Sequence, residues 1–237
     1  MPQPRTIHFR RVVSLSHPIH PAIPTWPGDP PIELEPVASY EQEGYFLRRL
    51  ALGEHSATHA SAPAAFFPGA PGVDEYPPEA LVAPAVVIDG TEAAARDPDW
   101  VLSVRDLLAW EETHGPIDPG TLVLLRTGWE ARWRDPAAFL NADAAGTRHF
   151  PGFDSEAARW LVDRRKAAGI GIDTHGVDPG RDTTYGASRA VLARGGLVLE
   201  NLACLHELPV RGAWLVVGLL PLVGGSGSPA AVLALVP

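Results

Sequence analysis

Thr121-Leu122-Val123-Leu124-Leu125-Arg126-Thr127 is a near-continuous aliphatic run between polar ends, which is how a strand covered on both faces reads. Pro84-Ala85-Val86-Val87-Ile88-Asp89 is a second run of the same kind. Between them, Ser103-Val104-Arg105-Asp106 sets a capping serine three residues ahead of an acid and opens a helix through Glu112. Working outward, 11–15 is a short apolar strand, and 32–37 and 46–52 alternate like a half-buried strand pair. A second helix is capped by Asp154 and runs to about Ala168, with Ala158, Leu161 and Val162 on one face. Residues 170–173 then form a strand, 187–194 a helix stopped by Gly195-Gly196, and 197–200, 213–220 and 230–236 further strands. Strands lead, helices interleave and strands finish. That order predicts one α/β domain over 1–237, built on a mixed, partly closed sheet with flanking helices.

The chain has 237 residues, 46% of them apolar, enough for one good core. A formal charge of −9 with no basic run argues against a nucleic-acid partner, because phosphate-binding proteins concentrate Lys and Arg on one face. No apolar stretch reaches the roughly 18 residues a membrane span needs, and Met1-Pro2-Gln3-Pro4-Arg5-Thr6 lacks a leader pattern, so a cytoplasmic protein without a membrane partner is expected. Cys204 is the single cysteine, in an apolar Leu202-Ala203-Cys204-Leu205 context that predicts packing. The 25 prolines and 23 glycines are scattered as loop punctuation. The longest Pro-rich loop, from His17 to Pro30, carries Trp26 and is long enough to be functional.

Two histidines stand four apart in Glu54-His55-Ser56-Ala57-Thr58-His59, between a strand and Ser61-Ala62-Pro63. A helix is disfavoured there, and a straight strand would hold the two imidazoles about 13 Å apart, too far for one ion. The chain must turn for both to bind one metal, and the small residues around them permit it. Taken alone the pair reads equally well as two hydrogen-bonding histidines at a strand end. His175, in Asp173-Thr174-His175-Gly176-Val177-Asp178, follows a strand end and is a candidate proton donor or a loop histidine holding Asp178 or a carbonyl. Asp173 and Asp178 read as groups that cap backbone N–H. Gly224-Gly225-Ser226-Gly227-Ser228-Pro229 lacks a Walker lysine and reads as a structural turn. His17, His20, His114, His149 and His206 have no comparable context.

Six segments together resemble the bacterial kynurenine formamidase and cyclase family of metal-dependent hydrolases. They are Trp26-Pro27-Gly28-Asp29-Pro30, His55 with Thr58-His59 and Pro63, Gly171-Ile172-Asp173-Thr174, Asp178-Pro179-Gly180, Glu200-Asn201-Leu202, and the 224–229 loop. The resemblance implies a swivelling β/α/β fold and a homodimer or homotetramer. It also implies a site in which His55, His59 and Glu200 hold a metal and Trp26 contacts substrate. This chain departs from the pattern in three places. Ser61 stands where the family has a ligand aspartate, Ala65 where it has a proton-shuttling histidine, and Ser188 where a histidine binds a second ion. The expectation is therefore one divalent ion, zinc or manganese, with Ser61 and Ser188 left to face substrate and His175 to replace the lost shuttle. The implied activity is hydrolysis of a small cyclic or aromatic amide, lactam or ester, with poor turnover of N-formylkynurenine. A metal-assisted cyclase, dehydratase or isomerase, or a catalytically silent ligand-binding relative, are the competing readings. Each takes a small-molecule partner.

Overall fold

A computed structural model of the chain describes residues 6–237; Met1 to Arg5, part of the segment read above for a leader, lie outside the described residues. In chain order the elements are β1 (Arg11–Ser14), β2 (Glu33–Ala38), α1 (Tyr40–Glu43), β3 (Leu47–Ala51), β4 (His59–Ser61), β5 (Val82–Asp89), α2 (Thr91–Arg96), β6 (Val101–Leu102), α3 (Val104–His114), β7 (Leu122–Arg126), α4 (Pro136–Leu140), β8 (Gly152–Phe153), α5 (Ser155–Trp160), β9 (Gly169–Ile172), α6 (Gly186–Leu192), β10 (Leu197–Glu200), β11 (Arg211–Leu219) and β12 (Gly227–Val236).

The sheet closes. Its order is β12-β11-β5-β7-β9-β10-β4, and β4 pairs back onto β12 through Gly227↔Ser61 and Pro229↔His59. The expected partly closed sheet is thus a seven-stranded barrel, with β1 added along the far end of β12. β5, β7, β9 and β10 run parallel, and the remaining barrel pairings are antiparallel. The period-2 rule explains why the aliphatic runs are continuous. In β7, Leu122 and Leu124 point into the barrel beside Leu197, Leu199, Leu215 and Val232. Val123 and Leu125 point outward and pack under Leu107, Ala158, Leu161 and Val191 of the helical layer. Each such fully buried side chain contributes about 1.5–3 kcal/mol relative to exposure. Cys204 packs against the barrel interior as expected.

Ser103 and Asp106 form the expected reciprocal cap of α3, which ends at His114, two residues past the predicted limit. Asp154 caps α5, but the helix widens into a π-helical turn, Leu161–Arg165, and stops short of Ala168. Lys166 is left-handed, and Ala168 instead donates its N–H to Thr121 at 2.9 Å, which commits the chain to β9.

Two features differ from the sequence reading in kind. β4 was not foreseen, because three residues carry no periodic signal. The expected half-buried pair is the hairpin β2-β3, which lies outside the barrel, with every residue of β3 exposed. Alternation there reflects a ribbon that touches a core cluster only through Leu34 and its end near Ile32 and Leu52, is buried again at Ala38, and is otherwise exposed. Tyr40, Tyr45, Phe46, Leu47 and Leu50 are all at least 48% exposed on this arm. Among the described residues no helix is long and apolar enough to cross a membrane.

Candidate metal centre and its pocket

β10 carries Glu200 to its C-terminal end, and the pairing Glu200↔His59 sets the two side chains opposite each other across β10 and β4. His59 Nε2 lies 2.7 Å from Glu200 Oε2. The turn the sequence demanded is present. Ala57 takes a left-handed φ of 56°, and the rings of His55 and His59 meet at right angles with centroids 5.1 Å apart. Among the described residues, His55, His59 and Glu200 form the one group whose ligating atoms lie within 4.8 Å of one another.

Hydrogen bonds orient each ligand. His59 Nδ1 donates to the Ala57 carbonyl at 2.9 Å, which leaves the lone pair on Nε2. That buried nitrogen has no hydrogen-bond partner and faces a carboxylate at contact distance. A lone pair and an anion so placed call for a cation, and a divalent ion fits. Without an ion a proton answers the same demand. Burial opposes the charged imidazolium of His59, but the adjoining Glu200 carboxylate outweighs it and raises the His59 pKa. For Glu200, burial pushes the pKa up, and His59 together with the Val177 N–H, donating to Oε1 at 3.0 Å, brings it below the ordinary value. His55 Nε2 donates to Ser226 Oγ at 3.0 Å, and Ser226 Oγ in turn donates to Glu54 Oε2 at 2.5 Å. This His–Ser–Glu relay leaves the lone pair on His55 Nδ1 toward the site, where it accepts a long hydrogen bond from Ser61 Oγ at 3.4 Å. Burial, then the charge of His59, lowers the His55 pKa and keeps it neutral.

The 224–229 loop therefore does more than turn. Ser226 orients a ligand histidine, and Gly227 sits so near it that a Cβ would lie 2.6 Å from His55 Cε1. Asn201, left-handed at φ 55° and fully buried, also escaped the sequence reading of roles. Its Nδ2 donates to the Ala57 carbonyl at 2.8 Å, and its own carbonyl accepts from Thr58 Oγ1 at 2.5 Å. These bonds tie the strand bearing Glu200 to the turn bearing both histidines. Glu54, Asn201 and Ser226 all stood inside quoted motifs, but a motif does not say which atom each side chain reaches.

The three ligand candidates open onto a cavity of about 300 Å³. Trp26, Ser61, Ala65, His175 and Ser188 all line it, so the structure gathers the candidate ligand, substrate and proton-transfer positions into one space. His175 is 6% exposed and does not hold Asp178; the polar groups that face its ring are the Thr25 backbone and the Asn201 side chain. Burial first, and the charge of His59 second, lower its pKa to about 4. Trp26 packs edge-on against His175 at 5.2 Å and Phe150 at 6.4 Å, anchoring the loop and walling the cavity at once. Asp173 accepts from Thr127 N, Thr127 Oγ1 and Gly128 N, as a capping group should. Asp178 accepts from Ala187 N at 2.6 Å and from the Ser188 hydroxyl, and it also lines the cavity, a position its capping role did not imply. Burial raises its pKa to about 6. Asp29, Phe66, Asp182 and Tyr185 complete much of the wall and were not singled out from sequence.

Residues 13–179 match a protein family described as "Putative cyclase". An isatin hydrolase of Roseibium aggregatum is 36% identical over 218 residues, covering 88% of this chain and 82% of the relative. A kynurenine formamidase of Paracidovorax citrulli is 29% identical over 232 residues, covering 93% of this chain and 94% of that one. In three dimensions the chain is similar to isatin hydrolase A from Ralstonia solanacearum, with a TM-score of 0.89 and 37% identity over 96% of this chain and 92% of that one.

Proposed function

The chain belongs to the cyclase family, and on that footing we propose that it is a metal-dependent hydrolase of a small cyclic or aromatic amide or lactam, acting as one 1–237 domain. The observation that carries this reading is the unpartnered His59 Nε2 set 2.7 Å from Glu200 beside His55, at the floor of an aromatic-walled cavity. Two imidazoles and a carboxylate are the ligand set of a catalytic zinc or manganese site with an open position. Such an ion supplies Lewis-acid polarisation of a carbonyl and acidifies a water.

The protein side chains supply the rest. Trp26 offers an indole face to a flat ring. Ser61 and Ser188 are small and leave space where a larger side chain would fill the cavity, although the Ser188 hydroxyl is already held by Asp178. His175, oriented by the Thr25 backbone and Asn201, is neutral at physiological pH and lines the cavity where it can accept the proton released by the attacking water, then return it to the departing nitrogen. With its pKa near 4, the retained base persists down to about that pH. His175→Gln is expected to lower kcat by about 10²–10³-fold while leaving the metal content unchanged. An unchanged kcat would remove His175 from the reaction.

Isatin with added zinc or manganese is the first substrate to test, since isatin hydrolases are among the relatives. Ring opening is expected, with much poorer turnover of N-formylkynurenine. Turnover of the latter at roughly 10 s⁻¹, typical of a good enzyme, would sink that ordering. Retained ligand binding with no turnover under any metal would make the chain a silent relative. The exposed apolar arm β2-β3 further supports a homodimer or homotetramer. A monomer in sedimentation at micromolar concentration would refute it.

A further inference from the structure

The cavity combines apolar walls with an unbalanced charge. Trp26, Phe66, Phe150 and Tyr185 supply flat or apolar surface, and Asp29, Asp178 and Asp182 add three carboxylates beyond the ligand Glu200. None of the described residues lining it is Lys or Arg. The arginines that border the walls are engaged with the aromatic rings: Arg148 lies over Trp26 at 4.0 Å, and Arg189 lies over Phe66 at 4.9 Å with its Nη1 donating to the Phe66 carbonyl at 3.4 Å. Asp182 accepts from Thr184 N, Thr184 Oγ1 and Gly186 N, bonds that hold it ionised and below the usual carboxylate pKa despite partial burial. The charge of Asp29 reaches both His55 and His59. A divalent ion on two neutral imidazoles and one carboxylate carries a single net positive charge, and Arg148 and Arg189 keep theirs behind the aromatic rings, so among the groups that face the cavity itself the three further carboxylates are in excess.

We propose that this pocket selects its substrate by charge, taking a neutral or cationic flat aromatic amide and rejecting one that carries a carboxylate, with Asp29 and Asp182 setting the preference. The proposal rests on the hydrolase reading and narrows its substrate class. Like charges brought together in a partly desolvated cavity repel strongly, and each carboxylate adds to the effect. The reaction sharpens the consequence. Water adds across the C–N bond, its oxygen to the carbonyl carbon and a proton to the nitrogen, so a neutral amide becomes an amine and a carboxylic acid, which loses its proton to solvent and leaves as a carboxylate. The carboxylates that turn away an anionic substrate also favour departure of the anion the reaction makes.

The test compares formanilide with its para-carboxylate and para-trimethylammonium derivatives on the metal-loaded protein. At low salt, kcat/KM for the carboxylate is expected at least about 10-fold below that of formanilide, with the cation equal or higher. Raising the salt to about 0.5 M should narrow that ratio, because the rim is partly solvated. In Asp29→Asn/Asp182→Asn the ratio should fall further toward unity. Equal or better turnover of the carboxylate at low salt would overturn the proposal, as would a ratio indifferent to both salt and the double variant. If none of the three is hydrolysed, isatin on the same metal-loaded sample decides the hydrolase reading, which stands if the ring is opened and fails if it is not. The charge preference is then read from calorimetric binding of the same compounds, where equal affinity of anion and neutral parent would overturn it.

Discussion

Replacing His59 by alanine is expected to reduce bound metal from about one ion per chain to near zero, and to lower kcat/KM by about 10³-fold or more. The size of the effect follows from geometry. His59 is 2% exposed, and its Nε2 faces the Glu200 carboxylate with no other partner, so its removal takes away one of three ligands. It also leaves Glu200 buried beside a cavity without the group that keeps its pKa down. Glu200→Gln should behave alike for metal while keeping the shape of the site. Its remaining amide can still meet the Val177 N–H, which separates ligand loss from unfolding. The same pair sets the pH dependence. His59 has a raised pKa in the metal-free protein, so the proton must leave before the ion enters. Metal affinity is therefore expected to fall as pH drops through that pKa, by roughly tenfold per pH unit for each proton displaced. Elemental analysis after dialysis and calorimetric titration at several pH values check both statements. Stoichiometric metal in His59→Ala would refute the site.

Asn201→Ala is expected to weaken metal binding by about 10- to 100-fold although Asn201 touches no ion. Its Nδ2 is one of two donors on the Ala57 carbonyl, the other being His59 Nδ1, and its carbonyl anchors Thr58. Losing the amide frees the left-handed turn that brings His55 and His59 to a common point. Alanine also fits poorly at a φ of 55°, which adds about 1–2 kcal/mol of backbone cost. Asn201→Gly removes that strain but not the missing bond. If Asn201 positions the ligands, the glycine variant recovers thermal stability yet keeps the weakened metal affinity. Full recovery of metal affinity in the glycine variant would reduce Asn201 to a backbone requirement.

The aliphatic runs at β5 and β7 were legible because a strand buried on both faces needs apolar side chains at every position, a local signature. The caps of α3 and α5 were legible for the same reason, since a cap is a bond between near neighbours. The end of α5 was not. It is decided by Ala168 joining Thr121 across the sheet. The hairpin β2-β3 shows the converse error, in which alternation is real but cannot say whether the apolar face has a partner.

The metal centre divides along the same line. Residue types and spacing offer a pair of histidines separated by small residues, and the family resemblance adds Glu200 and the loss of two ligands and a proton-shuttling histidine. That is enough to name His55, His59 and Glu200 and to expect one ion. Tertiary structure decided that the barrel closes through β4, and this closure presses Gly227 against His55 and brings Ser226 within 3.0 Å of its ring. It also decided that Asn201 braces the histidine turn and that Asp29 and Asp182 face one cavity. The physical reason is range. Propensity, caps and side-chain periodicity act within a few residues, whereas ligand orientation and the charge of a pocket are summed over groups up to about 170 residues apart, as His55 and Ser226 are.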